Sequence, residues 1–366
     1  MKRILSKGVA LVLVFSFLLT GCGSTKVDAG TTVATLGDTE ITYGFANFYA
    51  QLMQVYYDSY YVYFYGEDFW STDTSSSGDG SATMESDVRE ELLDEIEQLY
   101  RIKEHAADYG VTLSDEDNEA IAEAVENFMD QNTDAAIEKL GATEDIVTEY
   151  LELITLQERV MDIIYDEADV SFEPEEYECR TFSYVSIDLS GYYDDDSNYV
   201  EYTEDEIAQL EQDAEDLVAS ADASGDFTSV AEDAGYTVET CSYTASGDAD
   251  LADAVIEVAD TLQEGEISDP ITVEDENTIY VICLDSEYDE EASQDKLEEL
   301  TEDAQEEYFD SVYASWQEES TFSVVESVWK KVSFASLYEA DYDSDTDSES
   351  GDASGDASAD ASSDVE

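Results

Sequence analysis

The sequence predicts an α+β protein, with helices first, one strand-rich block, and then helix again. Three observations lead there. Apolar residues recur at three- and four-residue spacing over most of residues 42–168, the period of amphipathic helices. After Pro174 the pattern changes, and "ECRTFSYVSIDLS" and "NTIYVICLDS" read as strands around helical stretches. Helical spacing returns at Leu297, Leu300, Ala304, Tyr308, Val312 and Trp316.

A leader precedes these elements. Lys2, Arg3 and Lys7 stand before an apolar run from Val9 to Leu19, and Thr20-Gly21-Cys22 follows. A basic start, a short apolar run and small residues at a cut site make an export signal. The run is shorter than the roughly 20 residues that span a bilayer. The pattern resembles a bacterial lipoprotein signal, in which residues 1–21 are removed and Cys22 becomes the lipidated first residue, followed by a linker over 22–32.

Composition narrows the partners. The chain has 366 residues, enough for two or three domains. It carries 13 Lys and Arg against 94 Asp and Glu, a formal charge of −81. Nucleic acid is thereby excluded as a natural partner, because its binding rests on basic side chains that neutralise phosphates. Beyond Cys22 only Cys179, Cys241 and Cys283 remain, an odd set without a CxxC or a Cys/His cluster. No metal site and no cofactor motif is read. The one histidine, His105, lies in the helical "YRIKEHAADYG" and reads as a satisfied or solvated surface group, not a catalytic one.

In chain order, "VATLGDTEIT" gives two short strand-like runs around the turn Gly37-Asp38. Thr42 can cap a helix that places Phe45, Phe48, Tyr49, Leu52, Tyr56, Tyr60 and Tyr63 on one stripe. Tyr57, Tyr61 and Tyr65 continue aromatic character onto the other face, so this helix wants contacts around much of its circumference. It is either a buried core helix or, with Phe69 and Trp70 beyond it, an aromatic surface for unfolded polypeptide. "STDTSSSGDGS" is a loop, and helices resume around Val88–Tyr100, Ile121–Met129 and Ile146–Ile164, with Gly110 and Gly141 where helices should stop. In the strand-rich block, helices are expected at Ile207–Val218, in "GDFTSVAEDAGY" and over Leu251–Leu262, with "TVETCSYT" a strand between them. "FSVVESVWKKVSF" reads as a closing strand-like piece, and Val33–Leu36 is expected to pair with Phe322–Val325, because a lone strand leaves its backbone groups unpaired. After Lys331 no Lys or Arg occurs. Asp341, Asp343, Asp345 and Asp347 alternate like the start of a calcium loop but lack its turn glycine and closing glutamate. The tail is read as a disordered acidic spacer.

The whole arrangement resembles the PrsA/SurA-type foldases, exported chaperones that carry a parvulin-type peptidyl-prolyl isomerase domain. "VATLGDTEIT" is similar to the family's opening, "RIKEHAADYGVTLSDED" to its helix–glycine junction, "DFTSVAEDAG" and "LQEGEISDPI" to parvulin motifs, and "NTIYVICL" to the last parvulin strand. The resemblance implies a helical chaperone arm, residues 33–172 and 289–335 together, with a parvulin-like domain inserted at 173–288 and an acidic tail over 336–366. It implies that Leu297–Trp316 packs on the arm. It also implies a lipid anchor on Cys22 at the extracytoplasmic face of a bacterial cell membrane, with unfolded exported polypeptides as clients of Tyr57, Tyr61, Tyr65, Phe69 and Trp70. Monomer and homodimer both stay open.

Catalysis is where the chain departs from the family. The two parvulin histidine positions correspond to about Ser183 and Tyr280, two pocket positions to about Leu251 and Val255, and Cys241 lies near the acidic or thiol position. Isomerisation lowers a rotational barrier of about 18–20 kcal/mol by holding a twisted amide in a shaped, desolvated pocket. Without the histidines and the larger wall, client protection without fast isomerisation is expected. An active isomerase with an altered pocket is the alternative, and a solute-binding lipoprotein a further one, although that class alternates strand and helix over most of its chain.

Overall fold

The segment "TVATL" forms β1 (Thr32–Leu36), which buries Val33, Ala34 and Leu36 and carries a register shift between Thr32 and Ala34. The chain reverses at Gly37, whose φ of +54° suits a residue without a Cβ, into β2 (Thr39–Thr42). The computed structural model describes residues 27–193, 197–247, 249 and 251–338. The leader over 1–21, Cys22 and residues 339–366 of the acidic tail lie outside the described residues.

Thr42 caps α1 (Tyr43–Tyr57), its hydroxyl accepting from the Phe45 N–H at 3.3 Å. A π-helical turn over Asp58–Val62 and the short helix α2 (Tyr63–Tyr65) prolong it. Four further helices follow, α3 (Met84–His105), α4 (Asp115–Gln131), α5 (Asp134–Leu140) and α6 (Glu144–Glu167). Thr83, Ser114 and Thr133 cap the first three of these. Phe45 and Phe48 of α1 sit in one apolar core with Leu92, Ile96 and Leu99 of α3, Phe128 of α4 and Val147 and Leu151 of α6. Each side chain so buried stabilises the fold by roughly 1.5–3 kcal/mol.

The chain forms two compact units, one running to Ile163 and resuming at Ala314, the other Ile164–Tyr313. The second contains α7 (Pro174–Tyr177), β3 (Cys179–Asp188), β4 (Gly191–Tyr193), β5 (Tyr199–Glu201), α8 (Glu204–Ser224) and α9 (Phe227–Asp233). It continues with β6 (Glu239–Thr244), α10 (Asp253–Ala259), β7 (Ile271–Val273), β8 (Thr278–Asp289) and most of α11 (Glu290–Glu319). An antiparallel sheet in the order β6-β3-β8-β7 divides two apolar layers. Val185, Ile187, Ile279 and Val281 face Ala214 and Leu217 of α8 and Phe227 of α9. Phe182, Tyr280, Ile282 and Leu284 face Val255 and Ala259 of α10. This is an α+β architecture, as the sequence predicts.

Two expectations meet the structure at shifted boundaries. Leu297–Trp316 is counted with the second unit through Tyr313, and that unit also takes in the end of α6 from Ile164, a segment of the expected arm. There Gln305 donates to the Tyr165 carbonyl at 3.2 Å and the Phe309 ring meets the Tyr165 ring edge-on at 6.4 Å. The closing strand is also shorter than "FSVVESVWKKVSF" suggests. β9 (Phe322–Val324) pairs antiparallel with β1, Ala34 opposite Val324 and Leu36 opposite Phe322, which is the pairing expected of these two segments. After one further bond, from the Val325 N–H to the Val33 carbonyl at 2.8 Å, the chain turns into α12 (Glu326–Trp329), which buries Trp329. An extended segment then runs on to Tyr338, folded past the boundary at residue 335.

Candidate functional site

The helix opening the first unit carries two kinds of side chain at its far end. Up to Val55 nearly every side of α1 is buried. Beyond it, Tyr56, Tyr60, Phe64 and Tyr65 are 61%, 54%, 67% and 73% exposed. Tyr57 and Tyr61 lie half-buried between these rings and the core. The rings form a continuous array. Tyr57 stacks on Tyr61 at 5.6 Å, Tyr61 on Phe69 at 5.5 Å and 5°, and Tyr65 on Phe69 at 6.2 Å. Tyr60 bridges Tyr61 at 5.2 Å and Phe64 at 5.5 Å. Stacked and edge-on pairs of this kind add ~0.5–1.5 kcal/mol each beyond area burial.

Phe69 and Trp70 do not belong to the open surface. Both are buried, because the chain folds back after Gly66 and inserts the Trp70 ring against Phe334 at 4.5 Å. They are the floor under the exposed rings. Tyr56 and Tyr60 leave the expected core stripe for a different reason. From Gln51 onward the helix buries a polar face, Gln51, Gln54 and Asp58, under the C-terminal segment. The Asp58 carboxylate accepts from Trp70 Nε1 at 2.7 Å, from Gln54 Nε2 at 3.0 Å and from the Tyr338 N–H at 2.7 Å. Gln54 also donates to the Phe334 carbonyl at 3.0 Å, Gln51 to that of Ser333 at 3.2 Å, and Lys139 stands 3.5 Å over the Tyr338 ring. Burial pushes the Asp58 carboxyl up, against the donors and Lys139 that pull it down. The signal was present in the sequence as three amide and acid groups at three- and four-residue spacing inside an apolar helix.

Acids rim this surface. The Tyr57 hydroxyl donates to Glu91 at 3.3 Å, and burial, then Glu91, pushes that phenol up to about 12. From Tyr43 to Met84 the sequence holds no Lys or Arg. His105 is buried, its ring stacked on Trp316 at 4.6 Å and 7°, with Nδ1 3.1 Å from Asp108 and Nε2 lacking a partner. It is a packing group within the first unit, not a surface one.

In the second unit the expected pocket positions separate. Tyr280 and Val255 lie in one apolar cluster, with Leu251, Cys241 and Tyr184 packed against it. Ser183 does not join them. It stands opposite Cys283 on the other face of the sheet and donates to Asp285 at 2.7 Å. Side chains alternate along a strand, so a one-residue slip moves the position across the sheet. The residue on the Tyr280 face is Tyr184, whose ring lies 6.1 Å from that of Tyr280. Tyr280 donates to Glu276 at 2.8 Å and Tyr184 bonds Glu239; burial, then these carboxylates, pushes both phenols up to about 12. Near neutral pH both phenols are therefore protonated, engaged donors. The grooves lined by Glu211, Val218 and Pro270 and by Gln294, Leu297 and Thr301 lie elsewhere.

No disulfide joins Cys179, Cys241 or Cys283 among the described residues. Cys241 and Cys283 occupy opposite faces of the sheet, and burial, then Asp285, pushes the Cys283 thiol up to about 11. Among the described residues no cluster of His, Cys, Asp and Glu is arranged to hold a metal ion, and no helix is long and apolar enough to cross a membrane.

No protein-family model matches the chain, and no curated protein matches it. Among solved structures the chain is similar to the peptidylprolyl isomerase PrsA of Bacillus cereus, at 16% identity and a TM-score of 0.31 over 72% of this chain and 97% of that one. It is also similar to a SurA-like chaperone of Campylobacter jejuni, at 8% identity and 0.29 over 80% and 99%. Foldase protein PrsA of Streptococcus pneumoniae matches at 17% identity and 0.25 over 65% and 82%. Activity has to be argued from this chain's own residues.

Proposed function

We propose that the protein is an extracytoplasmic folding factor, anchored through a lipid on Cys22, that holds unfolded exported polypeptides on the aromatic end of its first long helix. The observation that carries this reading is the exposed array of Tyr56, Tyr60, Phe64 and Tyr65 on a buried floor of Phe69 and Trp70. A contiguous apolar patch left open on a charged protein marks an interaction site. Stacking and the Asp58 bonds hold the rings in place, so little ordering entropy is lost when a client docks. The second unit acts without proline isomerisation, since Tyr184 and Tyr280 are engaged with carboxylates where an isomerase would shape a pocket for a twisted amide.

The test is suppression of client aggregation by the wild type and by Tyr60→Ser/Phe64→Ser. Loss of protection with an unchanged melting temperature supports the reading. Full protection by the double variant removes the aromatic end from the function.

A further inference from the structure

The second unit carries another exposed aromatic surface. Between β3 and α8 the chain forms a two-stranded ribbon, β4 and β5, that among the described residues joins no other sheet. Its register sets Tyr193 opposite Tyr199 and Tyr192 opposite Val200. Tyr192, Tyr193 and Tyr199 are 43%, 73% and 50% exposed. Tyr193 meets Tyr199 edge-on at 5.5 Å on one face, and Tyr192 meets Tyr202 at 5.4 Å on the other. The close approach of the strands is specified, because a Cβ on Gly191 would collide with the Val200 carbonyl.

An isolated two-stranded hairpin is marginally stable in water, and this one leaves its large rings in solvent on both faces. The surrounding charge indicates what could cover them. From Thr181 to Asp295 the sequence contains no Lys or Arg. Asp188, Glu201, Glu204 and Asp205 are exposed on and beside the ribbon. A second copy of this unit would be repelled, and so would an anionic lipid surface. Open tyrosine faces among carboxylates suit ammonium and guanidinium groups, which are drawn both to ring faces and to the acids.

We propose that the β4–β5 ribbon is a docking surface for extended, lysine- or arginine-bearing segments of other polypeptides. The ribbon belongs to the second unit and the aromatic end of α1 to the first.

The test uses the purified full chain and a fluorescent peptide alternating lysine and glycine, with a glutamine–glycine peptide as control. The wild type should bind the lysine peptide, and Tyr192→Ser/Tyr193→Ser/Tyr199→Ser should weaken it roughly tenfold, as expected from losing exposed cation–ring contacts. Tyr193→Phe/Tyr199→Phe, which keeps the rings, should bind within about twofold of the wild type. The same weakening should appear in a Tyr60→Ser/Phe64→Ser background, which takes the helical aromatic surface out of the comparison. Undiminished binding by the triple serine variant would assign the attraction to diffuse charge and overturn the proposal, as would equal affinity for the glutamine peptide. Should the triple variant melt early, ring resonances in the wild type decide: peptide-induced shifts at Tyr193 and Tyr199 support the site, and their absence refutes it.

Discussion

Replacing Asp58 with alanine probes the packing that holds the aromatic surface. The carboxylate accepts from Trp70 Nε1, Gln54 Nε2 and the Tyr338 N–H. Gln54 would keep the Phe334 and Ser336 carbonyls as partners, so two buried donors are orphaned, those of Trp70 and Tyr338. Each orphaned donor costs ~1–3 kcal/mol. Relief from burying a carboxylate offsets part of this, leaving a net loss of about 2–4 kcal/mol. For a unit of this size that lowers the melting temperature by roughly 5–15 °C. The assay is tryptophan fluorescence, because Trp70, Trp316 and Trp329 all belong to the first unit. Asp58→Asn adds a pH dimension. Burial raises the folded pKa of Asp58, so its contribution is fully present below the ordinary carboxylate value of about 3.9 and is lost as pH rises through the raised folded value. The wild type should therefore gain stability relative to Asp58→Asn as pH falls through that window. A fluorescence melt of Asp58→Ala within about 1 °C of wild type, against the shift derived above, would refute the packing argument.

Other expectations can be checked on the same footing. Arg101 is buried and bonds Glu97, the Trp316 and Ser320 carbonyls and the Ser320 hydroxyl. Arg101→Met should destabilise the first unit by about 3–5 kcal/mol, read by the same fluorescence melt. Arg159 holds the Asp117 carboxyl well below the usual range, so that pair's contribution is present above about pH 4 and is lost as pH falls through the depressed value. Asp117→Asn should lower the melting temperature at neutral pH and leave it nearly unchanged in strong acid. Cys22→Ala should abolish lipid labelling and release the protein from the membrane fraction; continued labelling would remove the anchor from the account.

The layout of the chain was legible where a periodicity met a partner. Short strand-like runs in "VATL" and "FSV" stand at opposite ends of the folded sequence, and an unpaired strand had to find the other. The helix cap at Thr42 follows from side-chain chemistry alone. The aromatic end was legible in kind but not in detail. Extrapolating the apolar stripe past Val55 assumes that one face stays buried, whereas Gln54 and Asp58 turn a polar face inward to bind a segment about 280 residues away. Only tertiary structure supplies those donors and carbonyls. Ser183 was misplaced for a sharper reason, since strand register tolerates no error: one residue separates the Tyr280 face from its opposite. The β4–β5 ribbon escaped because a run rich in tyrosine and aspartate carries no inside-outside contrast to read.

The most direct test is a paired assay on one sample, with aggregation suppression of a refolding client beside isomerisation of a proline tetrapeptide. The wild type should protect the client, Tyr60→Ser/Phe64→Ser should not, and both should leave proline isomerisation at its uncatalysed rate. A tenfold acceleration would need only about 1.4 kcal/mol of selective transition-state stabilisation, so the assay is sensitive to a modest pocket. Isomerisation tenfold or more above background, or protection that survives the double substitution, would contradict the central claim.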